Sequence, residues 1–130
     1  FLEETIELFA DAKLSDVRVS ARDERRLSAV IRHIELNASE KLDLENLSTM
    51  AEMSKYHFLR TFRRVVGSTP YQFVLGIRLR RAAASLLTTS TPISAIAFEA
   101  GFGDLSTFNA HFRKRFGTNP RGYRLHKGSQ

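Results

Sequence analysis

The 130-residue chain has no cysteine and no tryptophan, and only 3 prolines and 7 glycines. Without thiols there can be no disulfide, thiolate metal site or cysteine nucleophile. So little Pro and Gly beside 42% hydrophobic residues describes a globular chain, not a fibrous or disordered one. No apolar run approaches the roughly 18 residues of a membrane span and no signal peptide is visible, which points to the cytoplasm and away from a membrane. Phe1 in place of an initiator Met suggests a piece of a longer protein. A chain of this length buries roughly two-thirds of its unfolded surface, so one domain, or two small ones, can fold without metal or disulfide.

Acidic residues are scarce in one half only. Residues 1–53 hold 7 Lys+Arg and 12 Asp+Glu, a balance of −5. Residues 54–130 hold 13 Lys+Arg against 2 acids, Glu99 and Asp104, a balance of +11. Self-repulsion of that size in one half marks a polyanionic partner, nucleic acid or an anionic membrane surface.

Apolar residues recur at helical spacing, and no segment alternates as a strand would. Leu2, Ile6 and Phe9 hint at a short N-terminal helix, and the polar stretch after Leu14, with Ser20 and Asp23, reads as a linker. Leu27, Val30, Ile31, Ile34 and Ala38 form the stripe of a core-facing helix. Asp43 caps a short helix that turns Leu44, Leu47 and Ala51 inward. Ser54 caps the next, with Phe58, Leu59, Phe62, Val65 and Val66 along one side and Gly67 as its stop. Pro70 opens a long helix to about Leu87, a rod of roughly 25 Å at ~1.5 Å per residue, with Leu75, Leu79, Ala82 and Leu86 inward. Thr91-Pro92 reads as a cap and start for a helix burying Ile93, Ile96, Ala97 and Ala100. Asp104 caps a segment with Leu105, Phe108, Phe112 and Phe116 that ends at Gly117, and Asn119-Pro120 begins a last short helix around Tyr123.

The chain repeats itself. At an offset of 50, Phe58, Phe62, Arg63, Gly67, Pro70 and Phe73 fall on Phe108, Phe112, Arg113, Gly117, Pro120 and Tyr123. Upstream the offset is 49, pairing Leu47 with Ile96, Ala51 with Ala100 and Glu52 with Gly101, so the second turn holds one extra residue. Each copy is a short helix, a tight turn and a capped second helix, which is a helix-turn-helix unit.

Segment 96–123, IAFEAGFGDLSTFNAHFRKRFGTNPRGY, closely resembles the C-terminal signature of AraC/XylS-type transcriptional regulators. The first copy, LSTMAEMSKYHFLRTFRRVVGSTP, resembles the family's other helix-turn-helix, and Arg78-Leu79, Ala82 and Leu86-Leu87 its linker helix. The likeness covers about residues 25–125. It implies an all-α, seven-helix, double helix-turn-helix fold: two homeodomain-like three-helix lobes joined by a long linker helix. The first unit would occupy about 43–67, the linker helix about 70–87 and the second unit about 92–117 of a DNA-binding domain at 23–130. Residues 1–22 would be the tail of an upstream sensor or dimerisation domain. The implied function is sequence-specific binding of double-stranded promoter DNA, with two recognition helices in successive major grooves about 34 Å apart. RNA polymerase and, through the upstream domain, a second copy are further candidate partners. The competing readings are a nonspecific architectural nucleic-acid binder and a helical interaction module for an acidic protein.

The resemblance places base reading at Tyr56, Leu59 and Arg60. A guanidinium at Arg60 can pair bidentately with guanine O6 and N7, while Tyr56 and Leu59 offer apolar contact to thymine methyls. The plainer alternative packs Tyr56 or Leu59 against a neighbouring helix. The matching face of the second unit is Leu105, Ser106, Thr107, Asn109 and Ala110, and Ala110 stands where the family usually has Arg. That unit is therefore expected to read sequence weakly and to lean on phosphate contacts. Phosphate contacts are assigned to Lys55, His57, Arg63 and Arg64 in the first unit and to Arg113, Lys114 and Arg115 in the second.

Glu52 is a second departure, standing where a Gly normally turns the chain. A non-Gly residue at positive φ costs roughly 1–2 kcal/mol, which raises the prospect of a distorted first turn. Arg78 is expected to be partly buried in an ion pair with an acid such as Glu99, and the ten Phe to be core. His33, His57, His111 and His126 lack the spacing of metal ligands, and Gly101-Phe102-Gly103 is a turn without the Lys-Ser/Thr of a phosphate loop. No acid pair, Ser/His/Asp set or cofactor fingerprint is present. The reading is a non-enzyme without metal or cofactor.

Overall fold

The computed structural model describes residues 19–128. Seven helices and no strand occur among them: α1 (Ala21–Leu36), α2 (Leu44–Met50), α3 (Lys55–Val66), α4 (Pro70–Thr88), α5 (Ile93–Glu99), α6 (Leu105–Phe116) and α7 (Pro120–Gly128). The helix expected around Leu2, Ile6 and Phe9 lies outside the described residues. Ser20 and Asp23 open α1 and are not linker: the Asp23 amide donates to Ser20 Oγ at 3.0 Å.

The chain divides into two compact units. The first comprises the described residues up to Ile34 together with Leu42–Phe73. Its fully buried side chains are Leu27, Val30, Ile34, Ala51, Phe58 and Phe62. Phe58 and Phe62 tilt against each other with centroids 5.7 Å apart, and Phe73 meets Phe62 edge-on at 5.6 Å. Each buried ring contributes about 1.5–3 kcal/mol by leaving water and each ring pair about 0.5–1.5 kcal/mol more, so the aromatic row anchors α3.

The second unit comprises Glu35–Lys41 and Val74 onward. Leu79, Ala82, Ala83 and Leu86 of α4 join Ile96, Ala97, Ala100, Phe102, Phe108 and Phe112 in one core, with Leu75, Ile93, Phe116 and Tyr123 partly buried against it. The linker helix is therefore unbroken, but it is no bare rod: from Val74 on it is a wall of this unit. The ring geometry repeats the first unit's, with Phe108–Phe112 at 5.5 Å and Phe112–Tyr123 edge-on at 5.3 Å.

The caps explain where the helices start and stop. Asp43 accepts from the Glu45 amide at 2.7 Å, Ser54 from His57 at 3.1 Å and Asp104 from Thr107 at 2.7 Å. Pro70 follows a reciprocal capping box in which Thr69 and Gln72 exchange bonds of 3.1 and 3.2 Å. Gly67 and Gly117 end α3 and α6 at φ 89 and 78. Thr91 does not cap α5: Pro92 holds that position without a side-chain bond, and the Thr91 amide turns to Thr89 Oγ1 at 3.3 Å.

Both helix-turn-helix turns share one hydrogen-bond pattern. Glu52 N donates to Thr49 O at 2.9 Å and Met53 N to Ser48 O at 3.0 Å; Gly101 N to Phe98 O and Phe102 N to Ala97 O repeat this at 3.0 Å each. This paired closure is a Schellman motif, which needs its middle residue left-handed. Glu52 obeys at φ 56, so the first turn is strained and not distorted. Gly103 is the extra residue of the second turn.

Several apolar expectations are corrected. Val65 is exposed, pointing away from the phenylalanine row, and buried Thr61 takes a place in the first core instead, while Leu59 and Leu105 are exposed as their assignment to the outward faces requires. Phe98 is 76% exposed and so leaves the core set, while Phe1 and Phe9 lie outside the described residues. Arg78 is half-buried as expected, with its guanidinium donating to the backbone carbonyls of Ala38 at 2.6 Å and Glu40 at 2.8 Å.

Candidate nucleic-acid interface

In the first unit, burial of Phe58 and Phe62 turns the opposite side of α3 to solvent. Tyr56 is 70% and Leu59 38% exposed, so neither is consumed by packing. The Arg60 guanidinium lies 5.5 Å from the centre of the Tyr56 ring. A cation over the ring face at that distance is attracted by the ring quadrupole, which favours conformers that hold the guanidinium on the outward face. Lys55 is exposed and loosely paired with Glu45 at 3.9 Å. Arg63 and Arg64 are half-buried along the same helix. His57 has a partner that sequence spacing could not suggest: its Nε2 lies 3.0 Å from Oδ2 of Asp23, 34 residues earlier.

In the second unit, Leu105, Ser106, Thr107, Asn109, Arg113, Lys114 and Arg115 are all exposed on α6. They do not form one surface. Thr107 is committed locally, its hydroxyl bonding the capping carboxylate of Asp104 at 2.9 Å. The Thr107 amide and hydroxyl together hold the Asp104 carboxyl below the usual carboxylate range. Arg115 leans onto α4, where a Cβ added to Gly76 would stand 3.7 Å from its Nη1. Leu105, Asn109, Ala110 and Arg113 instead share a concavity of about 480 Å³ with Ile93, Asn119, Pro120 and Arg121.

The two outward faces thus differ in shape. Tyr56 and Arg60 are exposed on α3, whereas Ala110, at the position equivalent to Arg60, lines the hollow on α6. Asn119 and Arg121 beside that hollow were not foreseen. The Pro120 helix start was legible, but not that it would come to lie against α6.

A helix-turn-helix domain model matches residues 47–126 of this chain. The chain belongs to the AraC-type helix-turn-helix family. Its fold and family are those of DNA-binding transcription regulators. The bifunctional transcriptional activator/DNA repair enzyme AdaA of Bacillus subtilis is 30% identical over 102 residues, which are 78% of this chain and 48% of that protein. The DNA-binding domain of AdpA, a global transcriptional factor solved in complex with a target DNA, superposes with a TM-score of 0.77 at 30% identity. That match covers 80% of this chain and 94% of the AdpA domain. An AraC-type regulator structure from Chromobacterium violaceum gives a TM-score of 0.73 at 27% identity, covering 83% and 96% of the respective chains. The chain thus spans about half the length of AdaA and nearly all of the two solved AraC-type structures. Among the described residues, no helix is long and apolar enough to cross a membrane.

Proposed function

We propose that this AraC-type domain binds double-stranded promoter DNA sequence-specifically, with α3 and α6 as the major-groove helices. The observation that carries the proposal is the Arg60 guanidinium over the exposed Tyr56 ring, on a helix whose opposite side is buried. In this reading Tyr56, Leu59 and Arg60 contact bases in the first half of the site, and Leu105, Ser106 and Asn109 in the second, with Thr107 limited by its bond to Asp104. Lys55, His57, Arg63, Arg64, Arg113, Lys114 and Arg115 hold phosphates. The AdpA domain was solved with its target DNA, which supports the same partner for this chain. The reading extends to a cytoplasmic regulator whose domain at 23–130 is preceded by a sensor or dimerisation domain, with RNA polymerase as a further partner.

Selection from a random duplex library tests it. A defined two-part site is expected, with binding that weakens with salt at a log–log slope of about −0.9 per phosphate neutralised. Equal affinity for scrambled duplexes, or a slope near zero, overturns the proposal.

A further inference from the structure

Where α3 begins, the first unit holds a pair that differs from the contact at the equivalent place in the second. His57 is the third residue of α3 and Asp23 the third of α1, and Nε2 meets Oδ2 at 3.0 Å. The repeat puts Thr107 at the position of His57, and its hydroxyl serves Asp104 instead. The Asp23 side chain is 16% exposed and the imidazole above it 52%, so the ring covers the carboxylate. Asp23 is itself held by the bond from its amide to Ser20. His57 follows Tyr56 and precedes Arg60 by three residues, which puts the ring at the edge of the outward face, where a sugar-phosphate strand would run.

We infer that His57 is a proton-coupled phosphate contact and Asp23 its positioning residue. The inference rests on α3 being the DNA-reading helix. A neutral imidazole donating Nε2–H to Asp23 presents a lone pair at Nδ1, which repels a phosphate oxygen; only the imidazolium offers an N–H to both. On the same helices, Arg26, one turn along α1, pairs with Glu52 at 3.3 Å, and Lys55 of α3 with Glu45 of α2 at 3.9 Å. The free protein sets the Asp23 carboxylate against the ring, and a bound phosphate adds a second anion. Proton uptake accompanies binding, and affinity rises as pH falls through the imidazole range, levelling once the ring is charged in both states. Asp23 also keeps a bare carboxylate from facing the DNA, because the charged ring neutralises it.

The test is duplex affinity from about pH 8 to about pH 6 at constant ionic strength, for the 130-residue chain and its His57→Gln and Asp23→Asn variants, with circular dichroism as the check on folding. The unaltered chain should tighten by about tenfold, the equivalent of one pKa unit of linkage. His57→Gln, at an exposed site, should fold normally and lose that rise. Asp23→Asn should show a smaller rise, because the ring then loses the group that orients it toward the phosphate. A wild-type pH profile in His57→Gln overturns the proposal by assigning the proton to another histidine. An equal gain in affinity at every pH in Asp23→Asn also overturns it, leaving Asp23 as a repelling charge only. Absence of duplex binding by the unaltered chain at any pH overturns the DNA reading itself, a distinguishable failure.

Discussion

Gly101 and Glu52 occupy equivalent places in the two turns, yet the structure demands opposite responses to mutation. Gly101 sits at φ +107, and a Cβ there would lie 2.9 Å from Arg78 Nε, 2.9 Å from the Ser39 carbonyl oxygen and 3.0 Å from Ser39 Cα. Two of those atoms are backbone and the third is pinned by Arg78's bonds to the Ala38 and Glu40 carbonyls. Gly101→Ala thus adds about 1–2 kcal/mol of backbone strain to the loss of at least one charge-assisted hydrogen bond, about 1.5–3 kcal/mol. The sum, about 2.5–5 kcal/mol, is a large share of the 5–15 kcal/mol typical of a domain. Urea unfolding followed by far-UV circular dichroism should show a lowered midpoint with an unchanged slope. In an Arg78→Ala background the hydrogen-bond part of that cost should vanish, while the backbone strain and the close approach to Ser39 remain. Glu52→Gly should instead be neutral or stabilising by up to about 1 kcal/mol, since relief at φ 56 outweighs the exposed ion pair with Arg26. A Gly101→Ala cost below about 1 kcal/mol would refute the reasoning, because the second turn could then yield without disturbing Arg78.

Further expectations concern binding and pH. Arg60→Ala should cost about 1–3 kcal/mol on the selected duplex and relax base preference in one half of it, and an equal loss on a scrambled duplex would reduce Arg60 to a phosphate contact. Arg113→Ala or Lys114→Ala should weaken all duplexes alike and flatten the salt slope by about one contact, as read from titrations at several salt concentrations. Ala110→Arg has a hollow to fill beside Asn109 and Arg113 and should sharpen preference in the other half; repeat selection showing no change counts against a weakly reading second unit. Asp104, whose folded carboxyl titrates below its unfolded value, adds stability that is complete above the usual carboxylate range and lost as pH falls through the folded value. Acid unfolding curves should therefore be flatter for Asp104→Asn, which can still accept from Thr107.

Some of the site was legible residue by residue. The Phe58/Phe62 and Phe108/Phe112 spacing made clear which sides of α3 and α6 turn inward, and hence that Tyr56, Arg60, Ser106 and Asn109 face out. Val65 misled because an apolar residue beside a buried stripe carries no mark of which way it points. The hollow on α6 was half visible: Ala110 announced a missing side chain, but nothing announced that Ile93, Asn119 and Arg121 would rim it.

Helix number, caps, stops and the repeat are local properties. Each depends on side chains within about four residues bonding or shielding the backbone beside them, so the amino-acid order alone determines them. The Asp23–His57 pair, the seat of Arg78 on the Ala38 and Glu40 carbonyls, and the absorption of α4 into the second core join residues some 40 apart or more helices than two. No local rule encodes such distances. Only burial of the phenylalanine rows, which brings distant helices together to exclude water, decides which polar groups meet at their edges.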